Sequence, residues 1–226
     1  MGDSMAEFNA ISTVIADKTG GIVLPCSIGG TTVSPNQNKD YVPLGGRELA
    51  QALRDDSWDQ QIAAVDKLAT QGDDNLYMLD QLRAAKRSRI EIVVLWYGTN
   101  DFMQALPIDE FITDYVKCVG LLQRTFAPRG TLLVSPTFRW RQMVGDGLDS
   151  DHHPNASGVY LADYAEAIAR VAALTGVSYL DLLGTNINRE KSETTVSDGV
   201  HLDEIDQLAA GNLIAASVKS ILNSNS

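Results

Sequence analysis

With 226 residues, 44% of them hydrophobic, the chain can bury one sizeable core, and it reads as a single domain over residues 1–226. Its formal net charge of −11 repels nucleic acid and anionic membranes, and no apolar run reaches membrane-spanning length. No charged segment followed by an apolar one marks a signal peptide, and Cys26 and Cys118 lack metal-ligand spacing; two buried free thiols are expected, and the compartment stays open.

Residues 5–17 read as a helix with Phe8, Ile11, Val14 and Ile15 at helical spacing, ended by Gly20-Gly21. Residues 22–28 are a nearly continuous apolar run, the pattern of a strand buried on both faces in a parallel sheet. Pro25 lacks a ladder donor and moves that strand to an edge or ends it early. Gly29 to Thr32 is a loop, and the stretch to Gly46 has no period. Helices are expected at 47–55, 58–69 and 76–86. Residues 90–96 give the clearest strand, β-branched, short and bounded, and it runs into a loop, Tyr97-Gly98-Thr99-Asn100-Asp101.

A long helix then covers 108–125, and a second buried strand covers 131–135, stopped by Pro136. Residues 136–156 form a long irregular loop bearing Phe138, Arg139, Trp140 and Arg141; loops of that length are often functional. An Ala-rich helix at 156–175 is capped by Gly176, a strand follows at 177–182, and residues 184–200 are polar and irregular before a last helix at 204–222. Alternating strands and helices of this kind make an α/β domain with a parallel sheet, helices on both faces and ligands at the carboxyl ends of the strands.

What stands at those ends is chemically coherent. Ester cleavage needs a nucleophile, a base, an acid that orients the base, and donors for the oxyanion. Ser4 can attack, His201 can take its proton, and Asp198, three residues earlier, can fix the imidazole tautomer. The backbone N–H of Gly30, the side-chain amide of Asn100 and the N–H of Ser4 can serve as oxyanion donors. Asp181 is an alternative orienting acid, which the three-residue spacing of Asp198 and His201 disfavours. Asp101 reads as a support for its loop, Trp96 as core and Tyr97 as cleft wall.

Gly2-Asp3-Ser4, Gly30, Gly98-x-Asn100-Asp101 and Asp198-x-x-His201 resemble the four blocks of the SGNH (GDSL-type) hydrolases, in that family's order and over nearly the whole chain. Gly29 is the second choice for the second block, and Met5 stands where the family name has Leu. The resemblance implies a three-layer, flavodoxin-like α/β/α fold. It implies Ser4, Asp198 and His201 as the triad and Ser4, Gly30 and Asn100 as the oxyanion hole, working through an acyl-enzyme with no cofactor or metal. The family also has a central strand before its first block, whereas here only Met1 precedes Gly2. The expectation is therefore a piece of a longer polypeptide, with strands left unpaired on either side of the missing one.

The substrate reading is a small acyl ester, O-acetyl on carbohydrate, because the cleft loops are polar and carry no long apolar lid. Tyr97, Phe138, Arg139 and Trp140 are the substrate-binding candidates, against the plainer reading of a loop packed down by its aromatics. His152 and His153 beside Asp149 and Asp151 read as loop decoration rather than a metal site. Rivals are a lysophospholipase or thioesterase of the same family, and a non-catalytic carbohydrate-binding module on this fold, for instance within a larger surface or virion protein. A flavodoxin-like phosphate binder ranks last for want of a glycine-rich phosphate loop.

Overall fold

The computed structural model describes residues 1–6, 9–69, 75–140, 149–189 and 198–224. Phe8 and Arg141 lie outside them. Three parallel strands, β1 (Ile92–Trp96), β2 (Gly130–Val134) and β3 (Ser178–Leu180), pair in the order β1-β2-β3. Ile92 lies opposite Gly130, and Leu132 opposite Ser178.

On the other edge of β1 lies the start of the chain. The Trp96 N–H donates to Met1 O (3.1 Å) and the Asp3 N–H to Trp96 O (3.1 Å). Gly2 bridges Trp96 on one side and Ser27 on the other, both in parallel, and the Ile28 N–H donates to Gly2 O (3.0 Å). The spatial order is thus 27–28, 1–3, β1, β2, β3, the flavodoxin-like arrangement in which the second segment flanks the first. Residues 1–3 hold the end of the central position, where an unpaired gap was expected. The strand expected at 22–28 is the element that does not form: only Ser27 and Ile28 reach a partner, Pro25 has no N–H, and Ile22 and Leu24 are exposed.

The helices are α1 (Asn9–Thr19), α2 (Gly46–Asp55), α3 (Asp59–Ala69), α4 (Leu76–Ala84), α5 (Thr99–Met103), α6 (Ile108–Phe126), α7 (Leu161–Thr175) and α8 (Glu204–Ser224). The strand period of two divides the core between the two faces of the sheet. Trp96, Leu132 and Val134 face α1 and α8 with Met5, Ile11, Ile214 and Val218. Val93, Leu95 and Leu133 face α2, α6 and α7 with Leu49, Tyr115, Val119, Ile168 and Val171. The chain therefore has the three-layer α/β/α architecture that the resemblance implies.

Several boundaries move: the helix expected at 5–17 is α1 at Asn9–Thr19 behind a 3-10 turn at Ser4–Ala6, and the strand expected at 177–182 is the shorter β3. The Ala-rich helix starts at Leu161, because the Asn155 side chain takes the N–H groups of Ser157 and Val159 into a turn first. The loop expected at 97–101 closes into the single short helix α5, with Gly98 as its N-cap; five residues are too few for a helical period to show in sequence.

Candidate active site

Ser4 opens a 3-10 turn, Ser4–Ala6, directly after the pairing of Gly2 with Trp96. The Asp3 carboxylate accepts from the Met5 N–H (3.0 Å) and Asp3 O from the Ala6 N–H (3.1 Å), so the turn is fixed from behind. Gly2 is required by close approach: a Cβ there would lie 2.5 Å from the carbonyl oxygen of Trp96. The chain at Ser4 is thereby seated against the carboxyl end of β1.

Ser4 Oγ lies 2.9 Å from His201 Nε2. The other ring nitrogen, Nδ1, hydrogen-bonds Asp198 Oδ2. A carboxylate only accepts, so Nδ1 carries the proton and Nε2 is left with its lone pair toward the serine hydroxyl. Asp198 also accepts from the N–H groups of Val200 (2.8 Å) and His201 (2.9 Å), which curl residues 198–201 around its carboxylate. Burial alone would raise the Asp198 carboxyl; the hydrogen bonds from the His201 ring and these two amides outweigh it and hold the group below the usual carboxylate range. Asp181 is engaged elsewhere, accepting from Ser135 Oγ (3.2 Å) and the Gly184 N–H (3.0 Å).

Besides the Ser4 N–H, the candidate oxyanion donors come from two neighbouring segments. Gly30 adopts φ +71, a left-handed conformation that favours glycine, and a Cβ there would meet the Tyr41 ring at 3.0 Å. Gly30 rather than Gly29 has this geometry. Asn100, in the first turn of α5, donates one Nδ2 hydrogen to Thr31 O (3.0 Å); the amide has a second hydrogen to offer. Asp101 is fully buried and accepts from the N–H groups of Val33 (3.0 Å) and Ser34 (3.3 Å). It supports the Gly30 loop as well as its own, and burial pushes its carboxyl up to about 8.

The substrate-binding candidates divide. Tyr97 is 0% exposed and packs edge-on against Tyr115, inside an aromatic cluster with Phe111 and Tyr164, so it is core and not cleft wall. Phe138 and Arg139 are 5% and 2% exposed and hold the loop down, the Arg139 guanidinium lying 5.9 Å from the Phe102 ring centroid. Period-based reading cannot separate a loop aromatic that faces in from one that faces out. Trp140 is half-buried: its indole N–H donates to Asn188 O (2.7 Å) and its backbone N–H to Gly199 O (2.7 Å). It thus braces the 198–201 segment, and its ring packs edge-on against Phe138 with centroids 5.1 Å apart.

Tyr41, against Gly30, and Trp140's bond to Gly199 are features the sequence reading did not find. Both depend on contacts between distant loops and leave no local signal. His152 Nδ1 and His153 Nδ1 both turn to Asp149 (2.9 and 3.3 Å). Among the described residues, no group of three His, Cys, Asp or Glu side chains is placed to hold a metal ion, and no helix is long and apolar enough to cross a membrane. Cys26 and Cys118 are both buried and free.

The model of the GDSL-like Lipase/Acylhydrolase family matches residues 1–205. Among solved structures, the chain is similar to Est24, a carbohydrate acetylesterase from Sinorhizobium meliloti (TM-score 0.62, 17% identity, 98% of this chain and 97% of that one). It is also similar to an aryl esterase of M. smegmatis (TM-score 0.62, 18% identity, 98% and 97%) and to the acetyl xylan esterase AlAXEase (TM-score 0.58, 16% identity, 96% and 96%). No curated protein matches the chain.

Proposed function

The chain belongs to the GDSL-like lipase/acylhydrolase family and is a carboxylic ester hydrolase, and from that premise we propose that it cleaves small acyl esters through Ser4, His201 and Asp198 by way of an acyl-enzyme. The observation that carries this reading is the line from Ser4 Oγ to His201 Nε2 at 2.9 Å, continued from Nδ1 to Asp198.

In the forward step the hydroxyl proton of Ser4 passes to Nε2 as Oγ bonds the ester carbonyl carbon. Asp198 holds the ring and stabilises the imidazolium without taking its proton. The carbonyl oxygen gains charge and is met by the N–H groups of Ser4 and Gly30 and the free hydrogen of Asn100 Nδ2; each such donor supplies about 3 kcal/mol. Collapse of this intermediate breaks the bond to the alcohol, which leaves with the proton from Nε2. Water then repeats the sequence on the acyl-serine and releases the acid.

The Trp140 backbone is bonded to Gly199, two residues before His201, whose ring delivers the leaving-group proton. Its ring is our candidate for contact with the alcohol part of the substrate, since an aromatic ring suits the face of a sugar or an aryl group. Together with the carbohydrate acetylesterase and acetyl xylan esterase that share the fold, this makes an O-acetylated sugar the preferred substrate. The experiment is release of acetate from 4-nitrophenyl acetate and from an acetylated xylo-oligosaccharide by the parent and by Ser4→Ala. Turnover by the parent alone supports the reading; equal rates in both overturn it.

A further inference from the structure

Asn100 and Asp101 are consecutive on α5, and both bind the same stretch of loop. Asn100 Nδ2 donates to Thr31 O (3.0 Å). Asp101 Oδ1 accepts from the N–H groups of Val33 (3.0 Å) and Ser34 (3.3 Å), and Oδ2 lies 3.3 Å from the Val33 nitrogen. That stretch begins at the residue after Gly30. It belongs to no helix or strand, so it owes its position to such bonds. Its other ties are local or run to the start of α2: Thr31 Oγ1 to Ile28 O (2.6 Å), Thr32 Oγ1 to Ser34 O (2.6 Å) and the Gly46 N–H to Thr32 O (2.9 Å). The α5 side chains link this stretch to the element that carries Asn100, and further along the loop the Gln37 N–H donates to Gln104 Oε1 (2.8 Å) at the end of that helix.

We infer that Asp101 is a positioning residue, whose buried carboxyl fixes the Val33–Ser34 backbone so that Gly30 and Asn100 present their donors to one point beside Ser4. This rests on the oxyanion roles proposed above. Donors aimed at a developing charge act only within a narrow geometry, and a misplacement of about 1 Å lowers rate by about 100-fold. Gly30 and Asn100 come from segments far apart in sequence; the Asp101 bond to Val33 spans 68 residues and, with the Asn100 bond to Thr31, ties the two segments together.

The carboxyl acts as an acceptor and not as a charge. It is 0% exposed, and desolvation lifts it to about 8 against the opposing pull of the Ser34 and Val33 amides. Near neutral pH it is largely protonated, with one oxygen still able to accept both N–H groups. An asparagine side chain copies that acceptor, whereas leucine copies only the volume.

The experiment compares Asp101→Leu and Asp101→Asn with the parent for kcat and KM on 4-nitrophenyl acetate, with thermal melts and amide hydrogen exchange of Val33 and Ser34. Asp101→Leu is expected to lower kcat by about 100-fold with KM within about 3-fold, and to unprotect both amides. Asp101→Asn is expected to recover kcat to within about 5-fold of the parent and to restore protection; residue volume alone would not give this rescue. A folded Asp101→Leu with parental kcat overturns the inference and leaves the esterase reading standing. An Asp101→Asn variant as slow as Asp101→Leu also overturns it. Should Asp101→Leu not fold, Asp101→Ser takes its place, with the same loss of kcat expected. A parent that turns over no ester fails the esterase reading instead; the positioning role is then judged by exchange, and Val33 and Ser34 amides no better protected in the parent than in the leucine variant overturn it.

Discussion

The backbone N–H of Trp140 donates to Gly199 O at 2.7 Å, so the loop after β2 holds the segment that carries Asp198 and His201. The same residue anchors its indole on Asn188 O (2.7 Å), and Asn188 in turn donates Nδ2 to Phe138 O (3.0 Å). The loop is thus a brace, with the Trp140 ring packed edge-on against Phe138.

Trp140→Ala keeps the backbone bond to Gly199 and removes the ring. It is expected to raise KM for 4-nitrophenyl acetate and acetylated sugar by about 10-fold, equivalent to about 1.4 kcal/mol of lost contact. KM for methyl acetate, whose alcohol has no ring to stack, is expected to stay within about 2-fold. Steady-state kinetics on the two substrate classes check this, and an equal rise for both shows that Trp140 acts through the brace.

His201→Gln and Asp198→Asn test the two halves of the relay. Loss of the base is expected to bring kcat close to that of Ser4→Ala. Asp198→Asn leaves the base in place but no longer enforces the Nδ1–H tautomer, and kcat is expected to fall about 10⁴-fold or less. Burst kinetics with 4-nitrophenyl acetate separate slowed acylation from slowed deacylation.

Gly2→Ala drives a methyl group toward the Trp96 carbonyl oxygen, 2.5 Å away, and toward Ala6 Cβ at 2.8 Å. Backbone must move on one side or the other. A destabilisation of about 1–3 kcal/mol is expected, read as a lowered denaturation midpoint, together with a fall in kcat because Ser4 moves with the strand.

Tyr97→Phe tests the reassignment of Tyr97 to the core. Its hydroxyl is buried and has no hydrogen-bond partner among the described residues, and burial raises its pKa well above the ordinary tyrosine value. Removing it is expected to leave kcat and KM unchanged and to raise stability by about 1 kcal/mol, measured by urea denaturation.

The stability that Asp101 contributes should fall as pH rises from about 4 to 8. Asp101 titrates near 8 when folded and in the ordinary carboxylate range when unfolded, so between those values the native state holds one proton more. That proton contributes a slope of up to about −1.4 kcal/mol per pH unit, which levels off above pH 8. Asp198 has the opposite sign: its lowered carboxyl stabilises the fold above the ordinary carboxylate range and loses that contribution only as pH falls below it. Urea midpoints at pH 5 and pH 8 measure the slope in the parent, and Asp101→Asn should remove the Asp101 part of it.

The sequence by itself determined the elements whose signals are local. The β-branched run that became β1, the helical stretches that became α6 and α8, and Asp198 three residues before His201 are all legible within one or two turns of chain, because propensity, period and capping act at that range. The four blocks in order pointed to the family. Tertiary structure decided whatever depends on a neighbour distant in sequence. Residues 22–28 have strand composition, yet pairing reaches only Ser27 and Ile28, since a strand exists only where a partner lies alongside it. Tyr97, Phe138 and Arg139 carry the residue types of a binding site, but which way each one faces was settled by the sheet and helices that close over them. In the sequence Asp101 reads as a support for its own loop only. Its place beside Val33 and Ser34 follows only from the packing of α5 against a loop 68 residues earlier, where burial removes water and leaves those amides to its carboxyl.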